Sequence, residues 1–283
     1  MIVGDKIYIA GALNSDACGY IENLSRMTKY ANKVKRLGNA VFSPGNDFIQ
    51  GLVDGGFKYE DYFNNSLLLL ASSDAMFIVP GSEKSEGVAK EKILAEKKGI
   101  PILEDIESLI RFNNRPKILA IIGESGSGKS VMAEYFNETY NIPMIESHTD
   151  RPRRHPDETG HTFYSSYEFN KFKREDMIAY TEFGGHRYCC LKMDVKDKNT
   201  YVMDENGILM LDNLYGNRYK VCSVRIKRSL DLRLNAVGEE RITRDEGMFW
   251  LPDSFYDVVI DNDKDIDFLY ESADEIYYDF FLN

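Results

Sequence analysis

Residues 123–130 read GESGSGKS and match the pattern GxxxxGK[ST]. Glycines at these positions let the backbone turn its amides inward around phosphate oxygens, and a following helix adds its N-terminal dipole. The alternative is a glycine-rich turn that binds no ligand. Against it, an apolar strand pattern precedes the motif and a helical pattern follows it, as in a P-loop. The sequence therefore predicts a phosphate-binding P-loop in an α/β domain in the second half of the chain.

Two side chains of the motif carry chemistry. Lys129 supplies a positive charge to the β- and γ-phosphates of a nucleotide, and the Ser130 hydroxyl can coordinate Mg²⁺. We therefore predict ATP and Mg²⁺ as cofactors. The predicted ATP site consists of Gly123, Glu124, Ser125, Gly126, Ser127, Gly128, Lys129 and Ser130.

Strand and helix patterns alternate in both halves of the chain. Short apolar runs such as Lys6–Ala10 end at glycine or proline and are separated by helical patterns. The sequence NNRP at 113–116 interrupts this alternation, which then restarts at the P-loop strand. We predict an α/β protein of two domains, 1–112 and 117–283, each with a parallel sheet flanked by helices.

Composition limits the partners that this chain can have. The formal net charge of −11 repels a phosphate backbone, so we expect no nucleic-acid partner. No apolar run approaches the roughly 18 residues of a membrane span, and the opening MIVGDKIYIAG lacks the pattern of a secretory signal. The four cysteines show neither CxxC spacing nor a disulfide framework. We expect a reduced, cytoplasmic protein without a membrane partner.

A second motif begins about twenty residues beyond the P-loop, in ESHTDRPRRHPDETGHTFYS. Arg151 and Arg154 lie three residues apart in a proline-stiffened loop and could form a fork for a phosphate; the alternative is a solvated basic turn. The segment resembles the monophosphate-binding segment of the guanylate kinase family, S-x-T-T-R-P-x-R followed by a glycine. Ser147, Thr149 and Gly160 fall in the same register.

The resemblance implies a site for a nucleoside monophosphate formed by Ser147, Arg151, Arg154 and Tyr188. Tyr188 lies in GGHRY, which resembles the family's G-N-Y-Y-G segment, and is implied to hydrogen-bond the acceptor phosphate. The run ILMLD at 208–212 resembles the strand that carries the family's acidic residues.

The resemblance spans about residues 117–265 and includes a lid. Arg233, Arg241 and Arg244 resemble the family's lid arginines, which close over the transferring phosphoryl group. Lys129, Arg241 and Arg244 are thereby implied as catalytic residues. Transfer would depend on positioning and charge neutralisation, without a covalent intermediate.

Departures from the family concern mainly the base. In the register fixed by Gly185, the guanine-recognising glutamate falls at Ala179 and the base-contacting serine at Cys190. A phosphate-binding tyrosine falls at Phe163, with Tyr164 adjacent as a substitute. A site discriminates strongly for a base only if it retains the matching polar groups. We predict an acceptor other than GMP, such as a deoxynucleoside or modified-base monophosphate.

The first half carries another constellation, formed by the sequences YIAG, DAMFIVPG and SEGVAKE. Together they resemble the nucleoside 2-deoxyribosyltransferase superfamily, including its 2′-deoxynucleoside 5′-phosphate N-hydrolase branch, over most of residues 5–104. The resemblance implies a Rossmann-like domain with Glu91 as the nucleophile at the anomeric carbon and Asp61 near the second catalytic acid. The alternatives are a solvated position in a charged helix for Glu91 and a first-turn position for Asp61.

The resemblance also implies a deoxynucleotide site in this half. Ser85 would bind the 5′-phosphate together with the free amides of the helix that starts near Gly87. A carboxylate can stabilise or capture the oxocarbenium-like state formed when an N-glycosidic bond breaks. The implied binding residues are Tyr8, Gly11, Ser85 and Gly87.

Both resemblances favour an enzyme of nucleotide metabolism. The prediction is an ATP- and Mg²⁺-dependent nucleoside monophosphate kinase fused to a domain that binds or cleaves the N-glycosidic bond of a deoxynucleoside 5′-monophosphate. Two alternatives stay open: N-glycosidase activity alone with the kinase-like half as a substrate-binding module, and a non-enzymatic nucleotide sensor or scaffold. The deoxyribosyltransferase resemblance implies a homo-oligomer. A fusion of this kind suits the remodelling of a nucleotide pool, by a bacterium or by a bacteriophage in its bacterial host.

Overall fold

Apolar runs that end at glycine or proline become the strands of parallel sheets in the computed structural model. It describes residues 4–215, 217–245 and 248–282, apart from the side chains of residues 48, 49, 52, 214, 215 and 244. The chain divides into two units, one ending at Asn114 and the other beginning at Arg115. Within the described ranges, no helix has both the length and the apolar character needed to cross a bilayer.

The first unit has a four-stranded parallel sheet with the order β2-β1-β3-β4. Its strands are β1 (Lys6–Ala10), β2 (Ala40–Phe42), β3 (Ala75–Ile78) and β4 (Ile102–Leu103). Its helices are α1 (Ala17–Arg36), α2 (Asp47–Val53), α3 (Tyr59–Ala71), α4 (Glu86–Lys98) and α5 (Ile106–Asn113). Helices thus connect successive parallel strands, as the alternating sequence pattern predicts.

Side-chain alternation along β1 divides the core of this unit in two. Ile7 and Ile9 pack with buried residues of α1 and α5 on one face of the sheet. Tyr8 and Ala10 pack on the other face with buried residues of α3 and α4. Because successive strand residues point to opposite faces, the Tyr8 side chain of β1 points towards α4 and carries its hydroxyl to that helix.

The second unit is built on a parallel sheet with the order β10-β5-β11-β12. Its strands are β5 (Lys117–Gly123), β10 (Lys198–Val202), β11 (Lys220–Lys227) and β12 (Val258–Asp261). The helices of the unit are α6 (Lys129–Tyr140), α7 (Ser166–Phe169), α8 (Glu205–Tyr215), α9 (Leu230–Val237), α10 (Glu239–Asp245) and α11 (Ile266–Ile276). The predicted α/β class, with parallel sheets flanked by helices, is confirmed for both units.

The second unit also contains a second sheet, which the sequence analysis did not predict. Its order is β7-β6-β9-β8, with both parallel and antiparallel pairs. The strands are β6 (Ser147–Thr149), β7 (His161–Phe163), β8 (Met177–Phe183) and β9 (His186–Leu191). Gly184 and Gly185 both have positive φ (60° and 77°), which permits the tight two-residue hairpin between β8 and β9.

The strand predicted at 208–212 is wrong. These residues lie in α8, and the strand of this region is β10. The Gly207 amide donates to Oδ1 of Asp204 at 2.9 Å, so Asp204 caps the start of the helix. A short apolar run does not by itself separate a buried strand from a buried helix face. The acidic residues that follow the strand are therefore Asp204 and Glu205.

Candidate functional site

The P-loop joins the carboxyl end of β5 to the start of α6. Its glycines take positive φ angles: Gly123 (154°), Gly126 (80°) and Gly128 (114°). A Cβ at Gly123 would lie 2.3 Å from the carbonyl oxygen of Ile226, so a larger residue does not fit there. The Asn262 side chain donates to the Ser127 carbonyl at 2.8 Å and fixes the loop to the end of β12.

Lys129 folds back over the loop. Its Nζ donates to the carbonyls of Gly123 at 2.7 Å and Glu124 at 2.8 Å. Burial lowers the pKa of Lys129 to about 8; Asp245 opposes this shift and the Arg241 guanidinium adds to it. The ammonium form therefore predominates at neutral pH, held by neutral carbonyls that it can exchange for a phosphate.

An acidic side chain occupies one amide of the loop. The Ser125 amide donates to Oδ2 of Asp245 at 2.7 Å, and Asp245 is buried. Backbone amides in a P-loop favour negative charge, because they point inward at the start of a helix. The carboxylate at the end of α10 thus lies where an anionic group of a ligand would bind.

The arginines predicted as a lid occupy different places. Arg233 is buried, and its Nη1 lies 2.6 Å from Oε1 of Glu124, so it supports the P-loop from α9. Arg241 lines the cavity at the P-loop. The side chain of Arg244 lies outside the described residues. Arg233 thus contacts the P-loop directly, and its assignment to the lid stays a prediction.

Two cavities meet at the P-loop. The P-loop cavity is lined by the loop and by Arg154, Arg228 and Arg241, together with apolar residues of α9. The inner cavity is lined by residues of β8, by the end of β10 and by the start of α8. Residues that line both cavities include Ser125, Lys129, His161 and Tyr188.

The two arginines of the predicted fork contact one carboxylate, with guanidinium nitrogens 2.7 Å (Arg151) and 3.8 Å (Arg154) from Oε1 of Glu158. Arg151 is buried and donates to both carboxylate oxygens of Glu158, at 3.2 and 2.7 Å. The Arg154 amide donates to the same carboxylate at 2.6 Å. The Arg151 hydrogen bonds, despite partial burial, hold the pKa of Glu158 at about 2. Arg151 also hydrogen-bonds Tyr188, and Arg154 and Tyr188 line the P-loop cavity, so three of the residues predicted to bind the monophosphate lie together.

The inner cavity contains hydroxyls at its far end. Ser147 and Tyr201 line it, with their oxygens 3.0 Å apart. Ala179 is on its wall, where it adds apolar surface in place of a carboxylate. Cys190 is fully buried, and its Sγ lies 3.6 Å from the Leu191 carbonyl. Of the two positions that depart from the guanine pattern, Ala179 is thus the one that touches this space.

Sequence analysis missed two acids of the inner cavity. Oδ2 of Asp204 accepts a hydrogen bond from the Thr181 hydroxyl at 2.5 Å. Glu205 is buried, accepts from the Tyr256 hydroxyl at 3.0 Å, and leaves Oε2 without a partner among the described residues. Burial raises the pKa of Glu205. Strands β5 and β10 are parallel neighbours, so the residues that follow them lie at the same edge of the sheet. The position of Asp204 and Glu205 directly after β10 could therefore have predicted that both acids lie near the P-loop.

A buried carboxylate–phenol pair lies in the first unit. The Tyr8 hydroxyl donates to Oε1 of Glu91 at 2.6 Å, and both residues are buried. Oε2 of Glu91 has no hydrogen-bond partner in the described part of the chain. Burial raises the pKa of Glu91 to about 7, although the bond from Tyr8 opposes the shift. Helix α4 buries Val88, Glu91 and Ala95 on one face, a spacing that signals an inward-facing Glu91.

The acid near this pair differs from the predicted one. Asp61 is exposed, and its carboxylate accepts the Lys58 amide at 2.9 Å, so it caps its own helix. Ser66 of the same helix is buried and hydrogen-bonds Tyr8. Asp47 also acts on Tyr8 through its charge, and burial raises the pKa of Asp47. Ser66 and Asp47 gave no local sequence signal, because their contacts with β1 are long-range.

The other predicted residues of this unit lie at two strand ends. Gly11 follows β1, where a Cβ would come within 2.8 Å of the Met27 side chain. The Ser85 hydroxyl caps α4 by accepting from the Val88 amide at 3.5 Å. Gly87 lies next to that hydroxyl in the first turn of the helix. Parallel pairing of β1 and β3 brings both strand ends to the same sheet edge.

The residues present fit a magnesium nucleotide. Within the described residues, no group of three or more His, Cys, Asp or Glu side chains is placed to hold a metal ion alone. Mg²⁺ bound at a P-loop does not require such a group, because the nucleotide phosphates and one hydroxyl supply most of the metal's ligands. Ser130 is exposed and lines the P-loop cavity at the start of α6, so it is available for this role.

A comparison with protein families gives a match within the first unit. The family model of a domain of unknown function, DUF4406, matches residues 5–104. No curated protein sequence matches.

Two solved structures are similar to parts of the chain. A guanylate kinase from Anaplasma phagocytophilum is 21% identical, with 58% of this chain and 84% of that chain covered and a TM-score of 0.43. A 2-deoxyribosyltransferase from Bacillus psychrosaccharolyticus is 24% identical, with 38% and 80% covered and a TM-score of 0.28. Neither likeness carries weight for function, which rests on the side chains described above.

Proposed function

We propose that the second unit transfers the γ-phosphoryl group of ATP, with Mg²⁺, to a nucleoside monophosphate other than GMP. The observation that supports this best is the pair of cavities with a common wall at Lys129, His161 and Tyr188. Phosphoryl transfer is mainly a matter of holding donor and acceptor in line and neutralising their charge. A nucleotide sensor would need the P-loop cavity alone.

In this proposal the P-loop amides and Lys129 bind the phosphates of ATP, and Ser130 holds Mg²⁺. The metal, when bound, supplies further neutralisation of the phosphate charge. Arg154 and Arg241 face the same space and stabilise charge on the transferring group. Asp245 leaves the Ser125 amide as the nucleotide enters, because both compete for one donor. Arg244 stays a predicted catalytic residue.

The acceptor occupies the inner cavity, with its phosphate towards Tyr188 and its base towards Ser147 and Ala179. A carboxylate at Ala179 would be needed to pair with the N–H groups of guanine, and the methyl group there offers none. Thr181, paired with Asp204, is a remaining polar group of this wall. We therefore propose a deoxynucleoside or modified-base monophosphate as the acceptor.

A survey of acceptors tests the proposal. The protein is incubated with ATP, Mg²⁺ and each ribo- and deoxyribonucleoside monophosphate, and ADP, diphosphate product and free base are separated by chromatography. We expect ADP and a matching nucleoside diphosphate with at least one acceptor other than GMP. GMP as the best acceptor would contradict the assignment of the base pocket, and no diphosphate from any acceptor would contradict the kinase proposal.

ATP affinity should weaken above pH 8. The pKa of Lys129 is lowered to about 8, so the amine loses its proton above that pH and must regain it to bind phosphate. The dissociation constant should rise with pH, by at most about tenfold per unit above pH 8, and stay flat below it. Calorimetric titration with Mg²⁺-ATP between pH 7 and 9.5 measures this. Lys129→Arg keeps its charge over this range and should flatten the profile.

We propose a second activity for the first unit, the cleavage of the N-glycosidic bond of a deoxynucleoside 5′-monophosphate. The buried Glu91, with one oxygen bound by Tyr8 and the other without a partner among the described residues, supports it. As the bond from C1′ to the base nitrogen breaks, the free oxygen bonds to C1′ and the base leaves with the electron pair and gains a proton. Water then releases the sugar.

The supporting residues of this activity are also proposals. Ser85 and Gly87 would bind the 5′-phosphate at the start of α4, with Gly11 beside the sugar, and Asp61 or Asp47 would supply the second acid. We propose that the protein works as a homo-oligomer in the cytoplasm of a bacterium or of a phage-infected host, without nucleic-acid or membrane partners.

A further inference from the structure

His161 stands at the junction of the two cavities. It is the first residue of β7, and its side chain lines both the P-loop cavity and the inner cavity. Its ring centroid lies 5.6 Å from that of Tyr188, the tyrosine proposed to bind the acceptor phosphate. A group at this junction can reach the phosphate that receives the transferred phosphoryl group.

The His161 ring has a nitrogen to offer. Nδ1 is buried and has no hydrogen-bond partner among the described residues. The groups that face the ring are Arg151, Arg154, Glu158 and the Ser147 carbonyl. Burial, with the Arg151 charge, lowers the pKa of His161, so the ring is neutral at pH 7. The Ser147 carbonyl accepts from the ring through Nε2, so in the neutral ring Nδ1 carries a lone pair. When a phosphate dianion binds beside it, the ring takes up a proton and Nδ1 becomes the donor.

Phe163, two residues after His161 on β7, stands where the resemblance to guanylate kinases places a phosphate-binding tyrosine, so the hydroxyl of that tyrosine is absent. Phe163 shares a strand face with His161, and their ring centroids are 6.0 Å apart. The guanidinium groups of Arg153 and Arg151 lie over the Phe163 ring, at 4.3 and 5.3 Å from its centroid. Phe163 therefore packs under the loop and supplies no donor.

Tyr164 does not replace that hydroxyl. Its ring packs against His148 and Phe172, with centroid separations of 5.5 and 5.0 Å, beside the core of the unit. Tyr164 directly follows β7, and its amide still donates to the Thr149 carbonyl of β6 at 2.9 Å, so its side chain points to the face opposite that of Phe163. The donor on the cavity face of β7 is therefore His161.

We propose that His161 binds the phosphate of the acceptor monophosphate through Nδ1 and takes the place of the phenol hydroxyl absent at Phe163. This inference rests on the proposed function, since it takes a monophosphate as the ligand of the inner cavity. It adds a phosphate-binding residue that acts beside Tyr188 and Arg154 and that discriminates a monophosphate from its nucleoside.

The test compares the binding of a nucleoside monophosphate with that of its nucleoside by calorimetry, using the best acceptor of the survey or, if none reacts, each monophosphate in turn. His161→Ala should lower the preference for the monophosphate by about tenfold or more, the loss of one hydrogen bond to a charged group. Its KM for the acceptor should rise while the Kd for ATP is unchanged. Phe163→Tyr in the His161→Ala background should restore part of the preference.

His155→Ala, an exposed histidine of the same loop, is the matched control and should change nothing. An unchanged preference in His161→Ala, with ATP binding intact, would overturn the His161 assignment while leaving the kinase proposal standing. A wild type that binds monophosphates without transferring phosphate refutes the kinase proposal and leaves the His161 comparison valid. If no monophosphate binds, both fail.

Discussion

Lys129→Ala is expected to lower the rate of phosphoryl transfer by about two to three orders of magnitude, the cost of removing one preorganised charge from the site of developing negative charge. The Lys129 ammonium now contacts the Gly123 and Glu124 carbonyls, and it would move to the phosphates of ATP. Initial rates of ADP formation with the best acceptor measure the effect.

The fold should survive this change. Truncation removes a desolvated charge, and water from the P-loop cavity can reach the two carbonyls that lose their donor. Circular dichroism should be unaltered, and the binding of the acceptor nucleoside should persist. Lys173→Ala, an exposed lysine in the same unit, is the control and should keep full activity. A rate for Lys129→Ala within a few-fold of wild type would refute the assignment of the P-loop as the donor site.

Glu91→Gln is expected to abolish the release of free base from deoxynucleoside 5′-monophosphates. Glutamine keeps the shape of the side chain and can accept the Tyr8 hydrogen bond, but it is not a nucleophile. Because the pKa of Glu91 is about 7, base release by the wild type should rise as the pH increases through 7. Chromatography of the free base between pH 5.5 and 8.5 follows both effects.

The same substitution should stabilise the first unit at alkaline pH. The pKa of Glu91 is raised from 4.5 to about 7 in the folded protein, so its contribution to stability is lost as the pH rises across that interval. At pH 8 Glu91→Gln should therefore gain up to about 3 kcal/mol in the free energy of unfolding, at 1.36 kcal/mol per pH unit. Near pH 4.5 the gain should vanish. Hydrogen exchange of β1 and α4 peptides in the full chain measures it.

Glu96→Gln, an exposed change on the same helix, is the control for both measurements and should alter neither base release nor exchange. Retained base release in Glu91→Gln would exclude the nucleophile role. Glu91→Gln could instead be more stable than the wild type at pH 8 while the wild type releases no base. Glu91 would then be a buried carboxyl group of a binding domain, as the sensor alternative requires.

Local patterns predicted most of the parallel scaffold. Strand β1 has the predicted bounds because its apolar run ends at a strong local breaker, Gly11. The prediction of a strand at residues 208–212 was wrong because the sequence ILML fits a buried strand and a buried helix face equally well. The cap at Asp204 distinguished the two, and it was readable from the sequence.

The candidate sites were less predictable than the fold. The P-loop is a contiguous motif, so its residues could be named from the sequence alone. Asp245 reaches the loop from 120 positions away, and Ser66 meets Tyr8 only after the sheet has formed. The motif identified Arg151, but the sequence could not show that Glu158, within the same loop, determines where its guanidinium points.

The pairing of Arg151 with Glu158 has a consequence for the thermodynamics of binding. One carboxylate accepts two bonds from a guanidinium and a third from the Arg154 amide, so the segment between β6 and β7 is tied together by its own residues. Its conformational entropy is lost when the chain folds. A ligand that meets this loop does not have to order it, and more of its intrinsic interaction energy is retained as affinity.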